Sequence, residues 1–354
     1  MADTETISEP VGKISTLVID HPSVPFGKTG LLLVNLGTPD GTDYWSIRRY
    51  LSEFLSDRRV IEIPMLAWQP LLQGIILSIR PSKSGEAYKK IWMKDLDKSP
   101  LLHYTEEQTR KLAERIGKDD LIVDFAMRYG NPSMESKIEA LRKQGCERIA
   151  VVPLYPQYSA TTTGSVYDQT FRSLAKLRWQ PAIRTAPPFY SDPDYIGALA
   201  RSLDRQVKAL DFEPQVLLLS YHGIPKSYFM KGDPYHCHCQ KTTRLVREYL
   251  GWDESFCRTT FQSRFGPQEW IQPYTSETLE TLPKEGITRV AVAAPAFISD
   301  CVETLEEIAI EGKEEFIEAG GTQFAALECL NDSDECIDFL VALARKQLAG
   351  WDQF

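Results

Sequence analysis

Several stretches of this chain share one design: an apolar run that ends abruptly in a polar turn bearing glycine or proline. The sharpest is Val216-Leu-Leu-Leu-Ser-Tyr-His-Gly-Ile-Pro225. Gly30-Leu-Leu-Leu-Val-Asn-Leu-Gly-Thr-Pro39 and Val290-Ala-Val-Ala-Ala-Pro-Ala-Phe-Ile-Ser-Asp300 repeat it. Apolar runs without polar alternation suit strands buried on both faces of a parallel sheet. Shorter versions at 121–127, 148–154 and 259–263 end in Arg128-Tyr-Gly-Asn-Pro132, Tyr155-Pro-Gln-Tyr-Ser159 and Arg264-Phe-Gly-Pro-Gln-Glu-Trp270. Between them, apolar residues at helical spacing predict helices over 44–55, about 105–116, 195–210, 242–250 and 337–349. Strands alternating with helices in both halves predict an α/β protein of two similar doubly wound domains, their parallel sheets facing a central cleft. The Pro-rich segment Ala186-Pro-Pro-Phe189 marks the crossing, which sets a first domain over 28–188 and a second over 189–354. Residues 1–27, polar and carrying Pro10, Pro22 and Pro25, read as a flexible extension.

In such sheets ligands sit beyond the carboxyl ends of the strands, so His222, delivered to one of those ends, is a site candidate. A capping or core histidine is the other reading of that residue. After the strand at 290, Ser299-Asp300 is a good helix N-cap, and Glu303, Glu307 and Glu311 then recur at i, i+4 and i+8 along one helix face. That file is either a solvated acidic face, with Glu306 and Lys313 as further surface charges, or a path for protons or a cation leading from the crevice. An imidazole and a carboxylate together suit a divalent metal, or a site that takes protons from its substrate.

The segment Met65 to Ile79 is apolar and aromatic, is interrupted by Pro70, and is too short to span a bilayer. It is either a core helix or an apolar lip rimmed by Arg80, Lys83, Lys89 and Lys90, suited to a flat hydrophobic ligand with carboxylates or to a membrane surface. A net charge of -9 argues against nucleic acid as a partner. The start of the chain lacks a basic region followed by an apolar core, and seven scattered cysteines fit reduced thiols, so a cytoplasmic location is expected.

Motifs separated along nearly the whole chain, from about 28 to 348, agree in order and spacing with one family. They are Val34-Asn-Leu-Gly-Thr-Pro39, Arg128-Tyr129, Tyr155-Pro-Gln-Tyr-Ser159 with Thr163-Gly164, Tyr221-His-Gly-Ile-Pro225, Gly232-Asp-Pro-Tyr235, Phe261-Gln-Ser263 with Gly266-Pro267 and Trp270, and Phe297-Ile-Ser-Asp300 with Val302-Glu-Thr-Leu305. The chain resembles the ferrochelatases, which insert ferrous iron into protoporphyrin IX to form protohaem, the terminal step of haem biosynthesis. The resemblance implies two Rossmann-like domains around a porphyrin cleft, with His222 and Glu303 as the catalytic metal-site pair. It puts Asp300, Glu307 and Glu311 on a proton or metal path. It also implies contacts to the macrocycle from Leu36, Arg80, Tyr88, Ser99, Arg128, Tyr129 and Trp270. Iron and protoporphyrin are then substrates, and peripheral contact with the inner face of the membrane through 65–79 is expected. Two departures matter. Cys301 stands where many members carry His, and Ala160, with no cysteine-rich tail after Trp351, argues against the iron–sulfur cluster that some members hold. Cys329 and Cys336 suggest a different ligand set from that of the family. His236-Cys-His-Cys239, on an extended segment, would alternate faces and could not close one tetrahedral site. The alternatives are a chelatase for another tetrapyrrole or metal, and a haem carrier without chemistry.

Overall fold

The computed structural model describes residues 24–351, so the expected extension at 1–27 lies outside the described residues except for its last four positions. Two four-stranded parallel sheets form the frame. The first contains β1 (Lys28–Thr38), β2 (Leu121–Gly130), β3 (Cys146–Pro153) and β4 (Ala182–Thr185) in the order β2-β1-β3-β4. The second contains β5 (Val216–His222), β6 (Cys257–Gln262), β7 (Arg289–Ala293) and β8 (Gln323–Ala326) in the matching order β6-β5-β7-β8. These are two Rossmann-like α/β domains. In each, the chain steps from the first strand to one side and then crosses to the other, so the crevice opens between the first and third strands at their carboxyl ends.

The strands are apolar throughout because both faces are covered. Leu31 and Leu33 of β1 and Leu217 and Leu219 of β5 share one core with Phe339, Leu340 and Leu343. The alternate residues turn away from it. Leu32 and Val34 pack on Ile138 and Leu141, and Val216 and Leu218 pack on Leu279 and Phe316. The helix Asp334–Leu348 lies against helices Pro100–Ile116 and Pro193–Ala209, and Arg115 on the first of these pairs with Asp334 and Asp338. A single continuous core thus joins the halves and holds the rims of the cleft to each other.

The differences from the sequence reading have local causes. The helix expected from about 105 begins at Pro100, because Ser99 accepts a hydrogen bond from the Leu102 amide and proline is favoured at the first helical position. The helix expected from 242 begins at Tyr235, so His236 to Cys239 form its first turn and are not extended. There they diverge. His236 packs against Phe229 and Phe261, His238 stacks on Tyr190 at 3.6 Å, Cys239 is buried and Cys237 is exposed. The short edge strands β4 and β8 and the helices Met134–Lys143 and Ser165–Ala175 carried too little apolar pattern to be expected. Among the described residues no helix is long and apolar enough to cross a membrane.

Candidate active site

His222 closes β5, whose register pairs it with Gln262 at the end of β6. Its Nδ1 lies 2.7 Å from the carbonyl oxygen of Gly223. A carbonyl only accepts, so Nδ1 carries a hydrogen, and Nε2 is the nitrogen left to meet a metal or a proton. Glycine at 223 allows a close approach, since a Cβ would stand 3.0 Å from both the Gln262 carbonyl oxygen and the Trp270 ring and force them to give way. Trp270 therefore comes close enough to flank the imidazole, with ring centroids 6.3 Å apart.

The acidic file stands on a π-helix, Glu303–Gly312, rather than on the expected α-helix. Such segments are rare and concentrate at functional sites. The Gln262 side chain reaches from β6 and donates to the Glu303 carbonyl at 2.8 Å, which ties the helix start to the strand beside His222. The three carboxylates meet three environments. Glu303 is half-buried in a pocket with Leu36, Thr38, Tyr88, Ser99 and Cys301, Glu307 is half-buried behind it, and Glu311 is exposed. Burial pushes the Glu307 carboxyl up, and the charge of Glu303 adds to that. Bonds from Ser263 and Gln262 and the imidazole of His222 act in the opposite direction. Glu307 accepts from the Ser263 amide at 2.6 Å and from its hydroxyl at 2.5 Å, and so holds Ser263 at φ 66°. Buried carboxylate, imidazole and pocket carboxylate form one electrostatically linked group.

The Asp300 side chain does not cap this helix. Its buried carboxylate takes bonds from Thr304 at 2.8 Å and Asn331 at 2.6 Å, which fastens the turn before the π-helix to the segment after β8. Ser299 likewise turns inward and accepts from Gln108 at 2.9 Å. Glu306, read as a surface charge, is buried and pairs with Lys90 at 2.7 Å, linking the lip to the second domain.

Arg128 and Tyr129, expected against the macrocycle, are turned into the first domain. One oxygen of buried Asp57 accepts from Arg128 at 2.5 Å, Tyr129 at 2.8 Å and Ser165 at 2.5 Å. Burial alone would raise the Asp57 carboxyl, but these bonds and the Arg128 charge outweigh it and hold it below its ordinary value. Arg128 commits Nε to Ser165 and Nη2 to Asp57, and Tyr129 commits its hydroxyl to Asp57, so both brace the wall from within the first domain. Tyr88 is buried in the pocket wall, and its phenol is kept neutral by burial and by the charge of Glu303. Ser99 lines the same pocket while capping its helix. Arg80 lies over the ring of Phe265 at 4.2 Å, bringing the lip against the loop that precedes Trp270, and its half-buried guanidinium is destabilised by desolvation. Asp57 and Ser263 escaped the sequence reading as site residues: neither stands on a periodic pattern, and only folding brings them to their partners.

The segment 65–79 divides its side chains between core and surface. Trp68, Leu72 and Leu77 are buried, while Leu66, Leu71, Ile75 and Ile79 face outward.

Among solved structures the chain is similar to SirB from Bacillus subtilis with Fe3+, with a TM-score of 0.56 and 14% identity over 92% of this chain and 97% of that one. It is also similar to the sirohydrochlorin chelatase SirB from Bacillus subtilis subspecies spizizenii in complex with cobalt, with a TM-score of 0.53 and 11% identity over 92% and 98%. The architecture is therefore that of the two-domain chelatases, a likeness of fold alone at these identities. Sequence narrows the class. The ferrochelatase family model matches residues 28–348. The chain is 58% identical over 333 residues to the ferrochelatase of Rhizobium meliloti (strain 1021), covering 94% of this chain and 98% of the relative. It is 56% identical over 341 residues to that of Agrobacterium fabrum (strain C58 / ATCC 33970), covering 96% and 99%. The chain belongs to the ferrochelatase family.

Proposed function

We propose that this protein inserts ferrous iron into protoporphyrin IX to form protohaem, the terminal step of haem biosynthesis, at the site built around His222 and Glu303. The observation that carries this reading is an imidazole whose Nδ1 is held by the Gly223 carbonyl, with Nε2 unengaged, beside a file of carboxylates that runs from the pocket to water. Insertion breaks two pyrrole N–H bonds, leaves both electron pairs on nitrogen for the metal, and releases two protons. Nε2 of His222 is the acceptor, and Glu303 receives iron or relays protons through Glu307 to Glu311. Glu307, whose affinity for protons is raised by burial, suits a relay better than an ordinary surface carboxylate would.

Leu36, Tyr88 and Trp270 supply apolar and aromatic contact with the macrocycle. Arg80 and Ser99 stand toward its carboxylates, and Arg128 and Tyr129 support the wall from behind. The outward side chains of the lip, Leu66, Leu71, Ile75 and Ile79, support peripheral association with the cytoplasmic membrane face, where an apolar porphyrin partitions. No resident metal or cluster is required by this scheme. The test is anaerobic incubation with protoporphyrin and ferrous iron, followed by the change in the visible spectrum. His222→Ala is expected to abolish chelation while porphyrin binding and folding persist, and near wild-type turnover would remove His222 from the mechanism.

A further inference from the structure

The helix Leu77–Ile91, which continues the lip, meets the second domain near both of its ends. Near its start Arg80 lies over the Phe265 ring, and the Phe265 carbonyl accepts at 3.0 Å from Nε1 of Trp270, the ring that flanks His222. Near its end Lys90 donates to Glu306 at 2.7 Å, and Glu306 follows Glu303 on the π-helix. The helical rise puts about 15 Å between Arg80 and Lys90. The helix is itself seated on the first domain. The Tyr44 hydroxyl donates to the Leu77 carbonyl at 2.9 Å, and a Cβ at Gly85 would stand 2.8 Å from the Thr42 carbonyl oxygen, so backbone rests on backbone there.

The last turn of this helix and the start of the π-helix make one wall. Tyr88 and Ile91 line the pocket with Val302 and Glu303, and Val302 packs against the cluster of Leu72, Leu77 and Tyr88. The pair of Lys90 and Glu306 is the polar fastening of that contact. Glu306 is buried and Lys90 exposed, so the ammonium is turned to the π-helix instead of standing on the rim for a ligand carboxylate, and the charges of Glu311 and Glu314 draw it the same way. An ion pair with one exposed partner adds little to stability, whereas a reacting group displaced by about 1 Å can lose about a hundredfold in rate. We propose that Lys90 is a positioning residue for chelation: through Glu306 it fixes the π-helix against the lip, and so sets where Glu303 stands relative to a macrocycle resting there. The helix Leu77–Ile91 is then a strut between the supports of the two reacting groups, with Trp270 and His222 at one end and Glu306 and Glu303 at the other.

This rests on the assignment of Glu303 to the reaction, so the experiment includes Glu303→Gln. Steady-state insertion of ferrous iron into protoporphyrin and thermal unfolding would be measured on the full chain for Lys90→Met, Lys90→Arg, Lys90→Glu and the reversed pair Lys90→Glu, Glu306→Lys. Lys90→Met keeps the apolar stem and removes the charge. It is expected to lower kcat about tenfold, with KM for porphyrin within about twofold and the melting temperature within about 2 °C. Lys90→Glu should be slower still, Lys90→Arg should keep wild-type kcat, and reversing the pair should recover most of the loss. A Lys90→Met protein with wild-type kcat would overturn the proposal. A raised KM at constant kcat would do so too, because the ammonium would then serve the porphyrin directly. So would a melting loss large enough to account for the lost activity, which makes the pair structural, or a reversed pair as slow as Lys90→Glu, which means the two side chains do not act through each other. If Glu303→Gln is inactive while Lys90→Met is normal, only the strut fails; if Glu303→Gln is fully active, the assignment of the site itself fails.

Discussion

Leu71 and Leu72 are neighbours in sequence with opposite fates, and replacing each in turn by aspartate separates the two roles of the lip. Leu72 is fully buried against a cluster with Trp68 and Leu77, whereas Leu71 is 41% exposed and Ile75 56%. In Leu72→Asp the protein loses a packed side chain, at about 2–5 kcal/mol, and gains a carboxylate without a partner. A total near 5 kcal/mol, at roughly 2 °C per kcal/mol for a unit of this size, lowers the melting temperature by about 10 °C. Leu71→Asp gives up about half of a side-chain burial, about 1 kcal/mol, and should cost roughly 2 °C. The surface effects run the other way. An apolar side chain that inserts among lipids contributes about 1.5 kcal/mol or more, so Leu71→Asp or Ile75→Asp should reduce liposome association roughly tenfold and weaken porphyrin binding with it. Differential scanning fluorimetry and liposome co-sedimentation read the two effects separately. Equal melting losses at 71 and 72 would refute the assignment of faces. Unchanged liposome and porphyrin binding in a well-folded Leu71→Asp, Ile75→Asp pair would refute the lip as a docking surface.

The acidic file should respond unevenly. Glu303→Gln is expected to reduce kcat by two orders of magnitude or more. Glu307→Gln should give a smaller loss together with lower stability, because it weakens the hold on Ser263, and Glu311→Gln should be nearly silent; equal mild losses in chelation assays would return the file to a solvated face. Asp57 predicts a pH dependence of stability. Its folded carboxyl sits below its unfolded value of 3.8, so its contribution is fully present above that pH and is lost as pH falls through the folded value. Asp57→Asn should flatten that acid limb in urea titrations and cost about 3 kcal/mol at neutral pH by leaving Arg128 buried without a countercharge, and a loss below 1 kcal/mol would contradict the buried pair.

What could be read from residue order alone was whatever depends on neighbours in the chain. The apolar runs at 31–34, 216–219 and 290–293 announced strands covered on both faces, and their polar ends announced the crevice edge that carries His222. Glu303, Glu307 and Glu311 share a helix face in the sequence pattern, and their order from pocket to solvent follows from it. Folding decided the rest, because the partners lie far apart in sequence. The turn of Arg128 away from the cleft depends on Asp57, 71 residues earlier, and the burial of Glu306 depends on Lys90, 216 residues earlier. Nothing local distinguishes a guanidinium bound to an internal carboxylate from one awaiting a substrate. The π-helix was equally hidden, since its contacts come from Gln262 at the end of β6 and from Ser263 just after it, while its sequence satisfies α-helical spacing just as well. Periodicity measures which residues can be buried, and only the packed structure settles which polar groups then find each other.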